Sequence, residues 1–453
     1  MISTPTMRSG FRTDFVTRLQ RIVGERNFEV FEPHTTRRNT EAVPPEPRTV
    51  NGVAPEITLA PGSADEVAAV LQMCMEEKIP VVPLGSGLHQ NIGAAPQSPF
   101  IAIATNRLKE VEHYDPGDLT IGVGAGMALR ELNELIQLHR QWLPVLGFPE
   151  RTSLGAATVG GVLASAMHGP LKHAFGGVRE FCIGVRFITG DGKHGKGGGR
   201  VVKNVARYDL MKLLIGSYGT LGVIISASFK LFPRPRHTVT FVCEFATASE
   251  GIAFRDRVIA SPVAPLTLEV LSPNASRMLY GEVDSNWRVL IRAGGSDRQM
   301  SRYRAELGSA VSAELTGEDE AARWAAIEDF ESKLPANNVL LSVACPISDV
   351  AQVISTAERT AAERGLHLFC VGCVGVGSLT IALAGEGSQA ASAVHSLRAA
   401  LPPRVVITVR GAPAELRASI STWQIPSAEL EIMRTLKNAL DPAWILNRGR
   451  YFV

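Results

Sequence analysis

The sequence lacks several features that mark particular classes of protein. Its 453 residues carry a formal net charge of only +2, which argues against nucleic acid or an anionic membrane as a partner. Its six cysteines are too sparse for a disulfide scaffold, so we expect a reducing, cytoplasmic location. Residues 1–15 have no apolar core of a secretory signal. The uncharged stretches 153–170 and 368–385 contain too much Gly, Ser and Thr for lipid-facing helices, so no transmembrane segment is expected.

The common nucleotide-binding motifs are also missing, although a glycine-rich loop is present. The stretch VVPLGSGLHQNIG, residues 81–93, begins like the dinucleotide fingerprint, but Gln90 stands where the third glycine is needed and no helix pattern follows. A Walker loop is excluded because no Gly-Lys-Ser/Thr completes it. Successive backbone N–H groups in a turn can nevertheless bind an anion by themselves. The loop is therefore either a tight strand connection or an anion-binding loop of another kind.

The hydrophobic pattern divides the chain into four segments and predicts an α+β fold class. Residues 1–54 predict an amphipathic helix and an extended lead-in, and residues 55–236 form a first core that opens with a βαβ unit whose helix is capped by Ser63. Residues 237–430 alternate strands and helices in a ferredoxin-like manner, which predicts a second α+β domain. The tail, residues 431–453, ends in aromatics and is expected to return to the first core.

Four stretches together carry a specific resemblance. In chain order they are APGSADEVAAVLQMCMEEKIPVVPLGSG, FPERTSLGAATVGGVLASAMHGP, GGGRVVKNVARYDLMKLLIGSYGTLGVI and the terminal ILNRGR. The chain resembles the vanillyl-alcohol-oxidase superfamily in its PCMH-type FAD-binding domain, most of all the FAD-binding subunit of the glycolate oxidases. The resemblance in sequence covers most of residues 55–235 and the last dozen residues. Between about 240 and 430 only the order of predicted strands and helices is similar. It implies a two-part FAD-binding domain and an α+β cap domain.

The resemblance also implies which residues hold FAD. The glycine loop would bind the diphosphate, and three later segments would line the rest of the cofactor. The implied cofactor-binding residues are Pro83, Gly85, Ser86, Gly87, Leu88, His89, Pro149, Thr152, Gly155, Thr158, Gly161, Ser165, Gly169, Gly222, Val223, Ile224 and Asn447. Some relatives attach the flavin covalently through a loop histidine. Because His89 follows Gly-Leu rather than Gly-Gly, we expect non-covalent FAD.

Four residues are candidates for catalysis under this resemblance. His168 could act as a base or orient a substrate, since imidazole titrates near neutrality, or it could only fill space that relatives leave to a smaller residue. Arg207 could bind a carboxylate through two parallel hydrogen bonds or could face solvent. Tyr208 and Arg450 complete the set.

A single CxxC pattern, Cys370 and Cys373, lies inside an apolar strand pattern. One pair cannot fill a tetrahedral zinc site, and no second pair or histidine set accompanies it, so core packing is the favoured interpretation. Related D-lactate and D-2-hydroxyglutarate dehydrogenases carry a histidine-rich metal motif in the second domain, where this chain has CVGCVGVGSLTIAL. No metal site is therefore expected.

The activity implied by the resemblance is oxidation of a small 2-hydroxy acid such as glycolate, with hydride transfer to flavin N5. The cysteines of this chain do not have the spacing that binds an iron–sulfur cluster. If the assembly is shared with the family, electrons would leave through an iron–sulfur partner subunit. Any association with a membrane would then occur through that partner. Two alternatives stay open. The chain could be a stand-alone FAD oxidase of a sugar or sugar alcohol, or a catalytically silent flavin-binding subunit.

Overall fold

The structure is a computed structural model that describes residues 11–31, 49–96, 99–199, 209–417 and 419–451. Its N-terminal half contains strands β1 (Phe28–Val30), β2 (Ile57–Leu59), β3 (Val81–Leu84), β4 (Ile101–Ala104), β5 (Val111–Asp115), β6 (Thr120–Gly124), β7 (Gln141–Trp142), β8 (Cys182–Ile188), β9 (His194–Gly198), β10 (Val223–Lys230) and β11 (Phe232–Pro233). The helices of this half are α1 (Thr13–Val23), α2 (Ala64–Glu76), α3 (Leu129–Ile136), α4 (Val159–Ser165), α5 (Lys172–Phe175), α6 (Val178–Phe181) and α7 (Met211–Leu214).

The N-terminal half is built on two sheets of different type. The first has the order β1-β2-β4-β3, in which β2, β4 and β3 run parallel, and the second is the antiparallel sheet β5-β6-β10-β8-β9. The predicted βαβ unit is the β2-α2-β3 crossover, and the Ser63 hydroxyl accepts a hydrogen bond from the Glu66 N–H at 3.1 Å. The prediction of Ser63 as N-cap is therefore confirmed.

The C-terminal half is one antiparallel sheet, called here the large sheet, with helices on both faces. Its strands are β12 (Thr238–Phe245), β13 (Thr267–Leu271), β14 (Trp287–Gly294), β15 (Val311–Leu315), β16 (Asn338–Ala344), β17 (His367–Cys373), β18 (Ser378–Ala384) and β19 (Val406–Gly411). The helices are α8 (Ala248–Ala260), α9 (Pro273–Tyr280), α10 (Asp297–Leu307), α11 (Gly317–Glu328), α12 (Val350–Glu363), α13 (Gly387–Ala400) and, beyond the sheet, α14 (Ser427–Leu440).

The strand order of the large sheet reveals an internal doubling. The order is β15-β12-β14-β13-β17-β18-β16-β19, so each set of four strands has the ferredoxin-like arrangement and the two sets join edge to edge through β13 and β17. The sequence predicted the ferredoxin-like alternation but not the two copies. Because β13 and β17 pair with each other, neither strand remains an unpaired edge of its four-stranded set.

The two faces of the large sheet differ. One face packs on α8, α10, α12 and α13 in a core that includes Phe241, Ile291, Leu341 and Val394. Part of the opposite face is covered by α9 and α11 around Trp324, and the remainder faces the N-terminal half. None of the described helices is both long and apolar enough to cross a membrane.

The C-terminal tail lies against β3 of the N-terminal half. The Val81 N–H donates to the Ile445 carbonyl and the Asn447 N–H to the Val81 carbonyl, both at 2.8 Å. A buried ion pair fixes the start of the tail, because the Lys437 ammonium donates to Asp441 Oδ2 at 2.6 Å and to the carbonyls of Thr220 at 2.7 Å and Leu446 at 2.9 Å. One side chain therefore joins α14, the tail and the turn before β10.

Substitution of Lys437 by Met should destabilise the protein strongly. The change leaves Asp441 as an uncompensated charge in the interior, and removal of one partner of a buried pair costs about 3–5 kcal/mol. We expect the urea midpoint of unfolding to fall markedly. The matched control is Lys212→Met, which breaks an exposed pair with Asp209 worth about 0–1 kcal/mol. Equal shifts for both variants would contradict the assignment.

Candidate active site

A cavity surrounds the glycine loop that follows β3; we call it the loop cavity. It encloses about 760 Å³ of space that is partly open to solvent, between the loop, the first turn of α4, the start of β10 and the tail. Thirteen of the residues expected to bind a cofactor line it: Pro83, Gly85, Ser86, Gly87, Leu88, His89, Thr158, Gly161, Ser165, Gly222, Val223, Ile224 and Asn447.

Glycine is required in this loop because of close backbone approach. A Cβ atom on Gly85 would lie 2.1 Å from the Thr158 hydroxyl oxygen, which itself accepts a hydrogen bond from the Gly161 N–H at 3.2 Å as the cap of α4. Gly87 has φ +84°, a conformation that disfavours residues with a side chain. The cavity wall is therefore bare backbone held tightly against α4.

Arg450 holds the glycine loop through its guanidinium. Its guanidinium donates to the Gln90 side-chain oxygen at 2.7 Å and to the carbonyls of Gln90 at 2.9 Å and Ile92 at 2.8 Å. Desolvation lowers the pKa of Arg450 to about 10, which still leaves it charged at neutral pH. The sequence offered Arg450 as a catalytic candidate, whereas the structure places it in the wall of the loop cavity.

The remaining predicted residues fall into three groups. Gly169 lines the second cavity, described below. Pro149, Thr152 and Gly155 lie outside the walls of both cavities and shape the short turn at Ser153–Ala156, where a Cβ on Gly155 would meet the Pro149 carbonyl at 1.8 Å. Arg207 and Tyr208 lie outside the described residues.

The second cavity lies between residues 165–170 and the exposed part of the large sheet; we call it the junction cavity. It encloses about 1190 Å³ of space that includes open solvent. The two cavities share His89, Ser165 and Tyr218 as wall residues, so they adjoin. A ligand bound in the loop cavity can therefore extend toward whatever occupies the junction cavity.

His168 is the predicted catalytic residue that the structure places in the junction cavity. Its Nε2 lies 3.3 Å from the Ser378 hydroxyl, and its Nδ1 has no hydrogen-bond partner in the part of the chain that the structure describes. The ring is accessible from the cavity yet enclosed by protein, and this desolvation, followed by the charges of Lys172 and Arg410, lowers the pKa of His168 to about 3. The imidazole is therefore neutral near neutral pH, and the same desolvation disfavours its protonated form, so a proton that it accepts needs stabilisation by a nearby anion.

Glu269 is a residue of the junction cavity that the sequence did not predict. It lies on β13 with 2% of its surface exposed, opposite Cys373 in the register, and both residues line the junction cavity. Its Oε1 has no hydrogen-bond partner among the described residues, and burial raises the pKa of Glu269 to about 8, although neighbouring Cys373 and Lys172 lower it. The only signal in the sequence was one acid inside the apolar run LTLEVL.

Two further charged side chains line the junction cavity. Glu328, at the end of α11, accepts a hydrogen bond from the Gly147 N–H at 2.5 Å and so joins the two halves; burial raises the pKa of its carboxyl to about 7. Arg410, near the end of β19, forms an ion pair with Glu331 and also faces the cavity. Sequence reasoning missed both, because their partners lie far away in the chain.

The CxxC cysteines are separated by the strand itself. Residues three apart in a strand point to opposite faces, and Cys370 packs in the core under α12 while Cys373 faces the junction cavity. The expectation of core packing is therefore confirmed for Cys370, whereas Cys373 also lines the junction cavity. Within the described residues, no group of three or more His, Cys, Asp or Glu could hold a metal ion.

Comparison with known proteins agrees with this architecture. Residues 55–196 match the model of an FAD binding domain, and residues 234–403 and 416–451 match the C-terminal domain of FAD linked oxidases. The chain is 25% identical to glycolate oxidase subunit GlcD of Bacillus subtilis over 88% of this chain and 89% of that protein. It is 27% identical to a D-lactate dehydrogenase of Archaeoglobus fulgidus over 93% and 96%.

Two other matches bear on assembly and fold. Glycolate oxidase subunit GlcE of Escherichia coli is 36% identical over 38% of this chain and 47% of that protein. The solved structure of p-cresol methylhydroxylase with substrate bound superposes with a TM-score of 0.70 at 14% identity over 96% of both chains, which supports the fold. The fold class is the predicted α+β arrangement, with a PCMH-type FAD-binding domain.

The loop cavity fits the diphosphate part of FAD. No carboxylate is found among the described residues of its wall, six glycines expose backbone there, and the buried Arg450 supplies a positive charge. Two buried polar atoms of the wall residues, Asn447 Oδ1 and Arg450 Nε, have no partner in the described residues. The fold and these cavities define an FAD-dependent oxidoreductase. The chain belongs to the FAD-linked oxidases of the vanillyl-alcohol-oxidase superfamily.

The raised pKa of Glu269 predicts a specific dependence of stability on pH. Between about pH 4.5 and pH 8 the folded protein keeps this proton while the unfolded chain releases it, so Glu269 makes folding less favourable as pH rises. We expect the melting temperature of Glu269→Gln, relative to the original protein, to increase from pH 5 to pH 8 and then level off. The exposed Glu306→Gln serves as the control, and a constant difference for Glu269→Gln would refute the prediction.

Proposed function

We propose that this enzyme oxidises a small 2-hydroxy acid, bound in the junction cavity, to the corresponding 2-oxo acid. The observation that carries the proposal is that a histidine, His168, and an arginine, Arg410, line the same cavity. A 2-hydroxy acid presents a carboxylate beside an alcohol, so it needs a cation and a proton acceptor in one enclosed space. The similarity to a glycolate oxidase subunit and to D-lactate dehydrogenases supports the same substrate class.

Each residue of the cavity would have a separate role in the reaction. Arg410 attracts the substrate carboxylate, since its guanidinium is held near the cavity by Glu331 and has donors to spare. His168 Nδ1 accepts the hydroxyl proton, and the Ser378 hydroxyl at Nε2 orients the ring. FAD, when bound, accepts the hydrogen and electron pair that leave the α-carbon. The loss of one proton and one hydride converts the alcohol to the carbonyl group of the 2-oxo acid.

We also propose that the electrons leave through a partner chain. Two relatives are named as subunits of glycolate oxidase, and the described cysteines are mostly buried and lack the spacing of iron–sulfur ligands. An iron–sulfur subunit is the expected acceptor. A stand-alone oxidase would instead release peroxide under air. A catalytically silent flavin subunit would keep oxidised FAD with every hydroxy acid.

Anaerobic mixing with glycolate and D-lactate tests the role of His168. We expect the flavin absorbance to bleach with the original protein, and the His168→Gln variant to bleach about 10²–10⁴-fold more slowly, because a general base of this kind contributes that much. The spectrum of oxidised FAD should not change in the variant. His367→Gln, an exposed histidine on β17, provides the control. Unbleached flavin in the original protein, although dithionite reduces it, would reject the substrate class.

Substitution of Gly85 by Ala should release FAD from an otherwise folded protein. The added Cβ would lie 2.1 Å from the Thr158 hydroxyl oxygen and push the loop away from α4. We expect most of the FAD to be lost, as read from the ratio of flavin to protein absorbance, and partly restored in the double variant with Thr158→Ala. Gly387→Ala, where an added Cβ has only ordinary contacts, should keep its FAD. Full FAD content in Gly85→Ala would place the cofactor elsewhere.

A further inference from the structure

The two cavities share three wall residues, and Tyr218 is the one to which no role has been assigned. His89 belongs to the glycine loop, and the Ser165 hydroxyl donates to the Gly161 carbonyl at 2.8 Å within α4. A residue in both walls lies where a ligand of the loop cavity meets a ligand of the junction cavity. Tyr218 therefore lies beside the position where FAD and the substrate would meet.

The backbone of Tyr218 is held in an unfavourable conformation. Its φ is +51°, in the left-handed region that residues other than Gly, Asn and Asp seldom adopt. Two hydrogen bonds fix it there, since the Tyr218 N–H donates to the Ala164 carbonyl at 2.8 Å and the Asn447 side-chain amide donates to the Tyr218 carbonyl at 2.6 Å. Strain of this kind persists only where the surrounding structure imposes it, and it is frequent at ligand sites.

The ring of Tyr218 is positioned by two other aromatic side chains. Its centroid lies 5.1 Å from that of Trp423 and 5.5 Å from that of Tyr451. Trp423 and Tyr451 themselves meet edge to face at 4.5 Å, so three rings from separate segments of the chain pack together. Of these three described residues, only Tyr218 lines the cavities. The aromatic packing therefore orients a single tyrosine at the boundary of the two cavities.

The hydroxyl of Tyr218 is not used by the protein itself. It has no hydrogen-bond partner in the part of the chain that the structure describes, whereas the Tyr114 hydroxyl donates to Gln141 Oε1 at 3.0 Å. Burial raises the pKa of Tyr218, and the positive charge of Arg410 partly opposes that shift. The phenol is therefore protonated near neutral pH, and the Arg410 guanidinium lies within electrostatic range of its oxygen.

We propose that the Tyr218 hydroxyl donates a hydrogen bond to the substrate carboxylate, together with the guanidinium of Arg410. Both residues line the junction cavity, one from the N-terminal half and the other from the large sheet. An ionised carboxylate has two oxygens with about four acceptor positions, so it can accept from both donors at once. His168 stays with the hydroxyl group at C2. This inference rests on the proposed function, because it adds a second binding group for the same substrate.

Substitution of Tyr218 by Phe removes the hydroxyl and keeps the ring that packs on Trp423 and Tyr451. Anaerobic FAD reduction by glycolate and by D-lactate is followed as a function of substrate concentration. We expect the concentration for half-maximal rate to rise about 10–100-fold, as for loss of a hydrogen bond to a charged group, while the limiting rate changes less than about threefold. FAD content and melting temperature should stay the same.

The matched control is Tyr114→Phe, which removes a tyrosine hydroxyl outside both cavity walls and should leave the half-maximal concentration unchanged. An unchanged half-maximal concentration in Tyr218→Phe as well would overturn the inference and leave the proposed function intact. A lower limiting rate at an unchanged half-maximal concentration would also overturn it, because the hydroxyl would then act in the reaction step rather than in binding.

A binding measurement keeps the inference testable if neither acid reduces the flavin. Oxalate is a small carboxylate with no hydrogen on carbon, so its binding to the FAD-loaded protein can be read from the flavin absorbance without reaction. Oxalate binding that weakens about tenfold or more in Tyr218→Phe, but not in Tyr114→Phe, would uphold the inference and reject only the oxidation. Equal binding to both variants, or none to the original protein, would reject Tyr218 as a carboxylate-binding residue.

Discussion

The buried pair between Lys437 and Asp441 is the interaction on which the loop cavity depends. The chain leaves its N-terminal half at β11, builds the whole large sheet, and must then return to β3 to complete the loop cavity. The Lys437 ammonium fixes that return by holding the Thr220 and Leu446 carbonyls together. Asn447 and Arg450 follow within a few residues and contact the turn at Tyr218 and the glycine loop. Burial of this charge is tolerated because every ammonium proton has an oxygen partner.

Polar contacts join the two halves beside the junction cavity. Glu328 accepts the Gly147 N–H, and Asp329 accepts both the N–H and the hydroxyl of Ser153, so α11 is attached to the loop before α4. These contacts leave a space between the sheet and residues 165–170 instead of a filled core. Its buried carboxyls, Glu269 and Glu328, have raised pKa values because of desolvation. Perturbed acids in a cleft are typical of functional sites, as buried charge is otherwise unfavourable.

Features set by local sequence could be predicted, and features set by strand register could not. The Ser63 cap, the glycine loop and His168 each belong to a short motif; the cap is confirmed, and the loop and His168 line cavities. Glu269 and Arg410 come from separate strands that belong to one sheet only because two ferredoxin-like units join through β13 and β17. No spacing along the chain encodes that junction. Arg450 was offered as a catalytic residue because nothing in the tail shows that its donors bind the loop carbonyls.

The sequence by itself determined the chemistry of the cofactor half. Close backbone approach requires glycine at Gly85, and the stretches around such positions carry the family resemblance from which FAD was expected. Only the tertiary structure decided what surrounds the substrate. The desolvation of His168, the unpartnered Glu269 oxygen and the ion pair of Arg410 with Glu331 all depend on which groups lie nearby in space. Desolvation and cross-strand register are properties of the packed molecule, and one residue type fits many such surroundings.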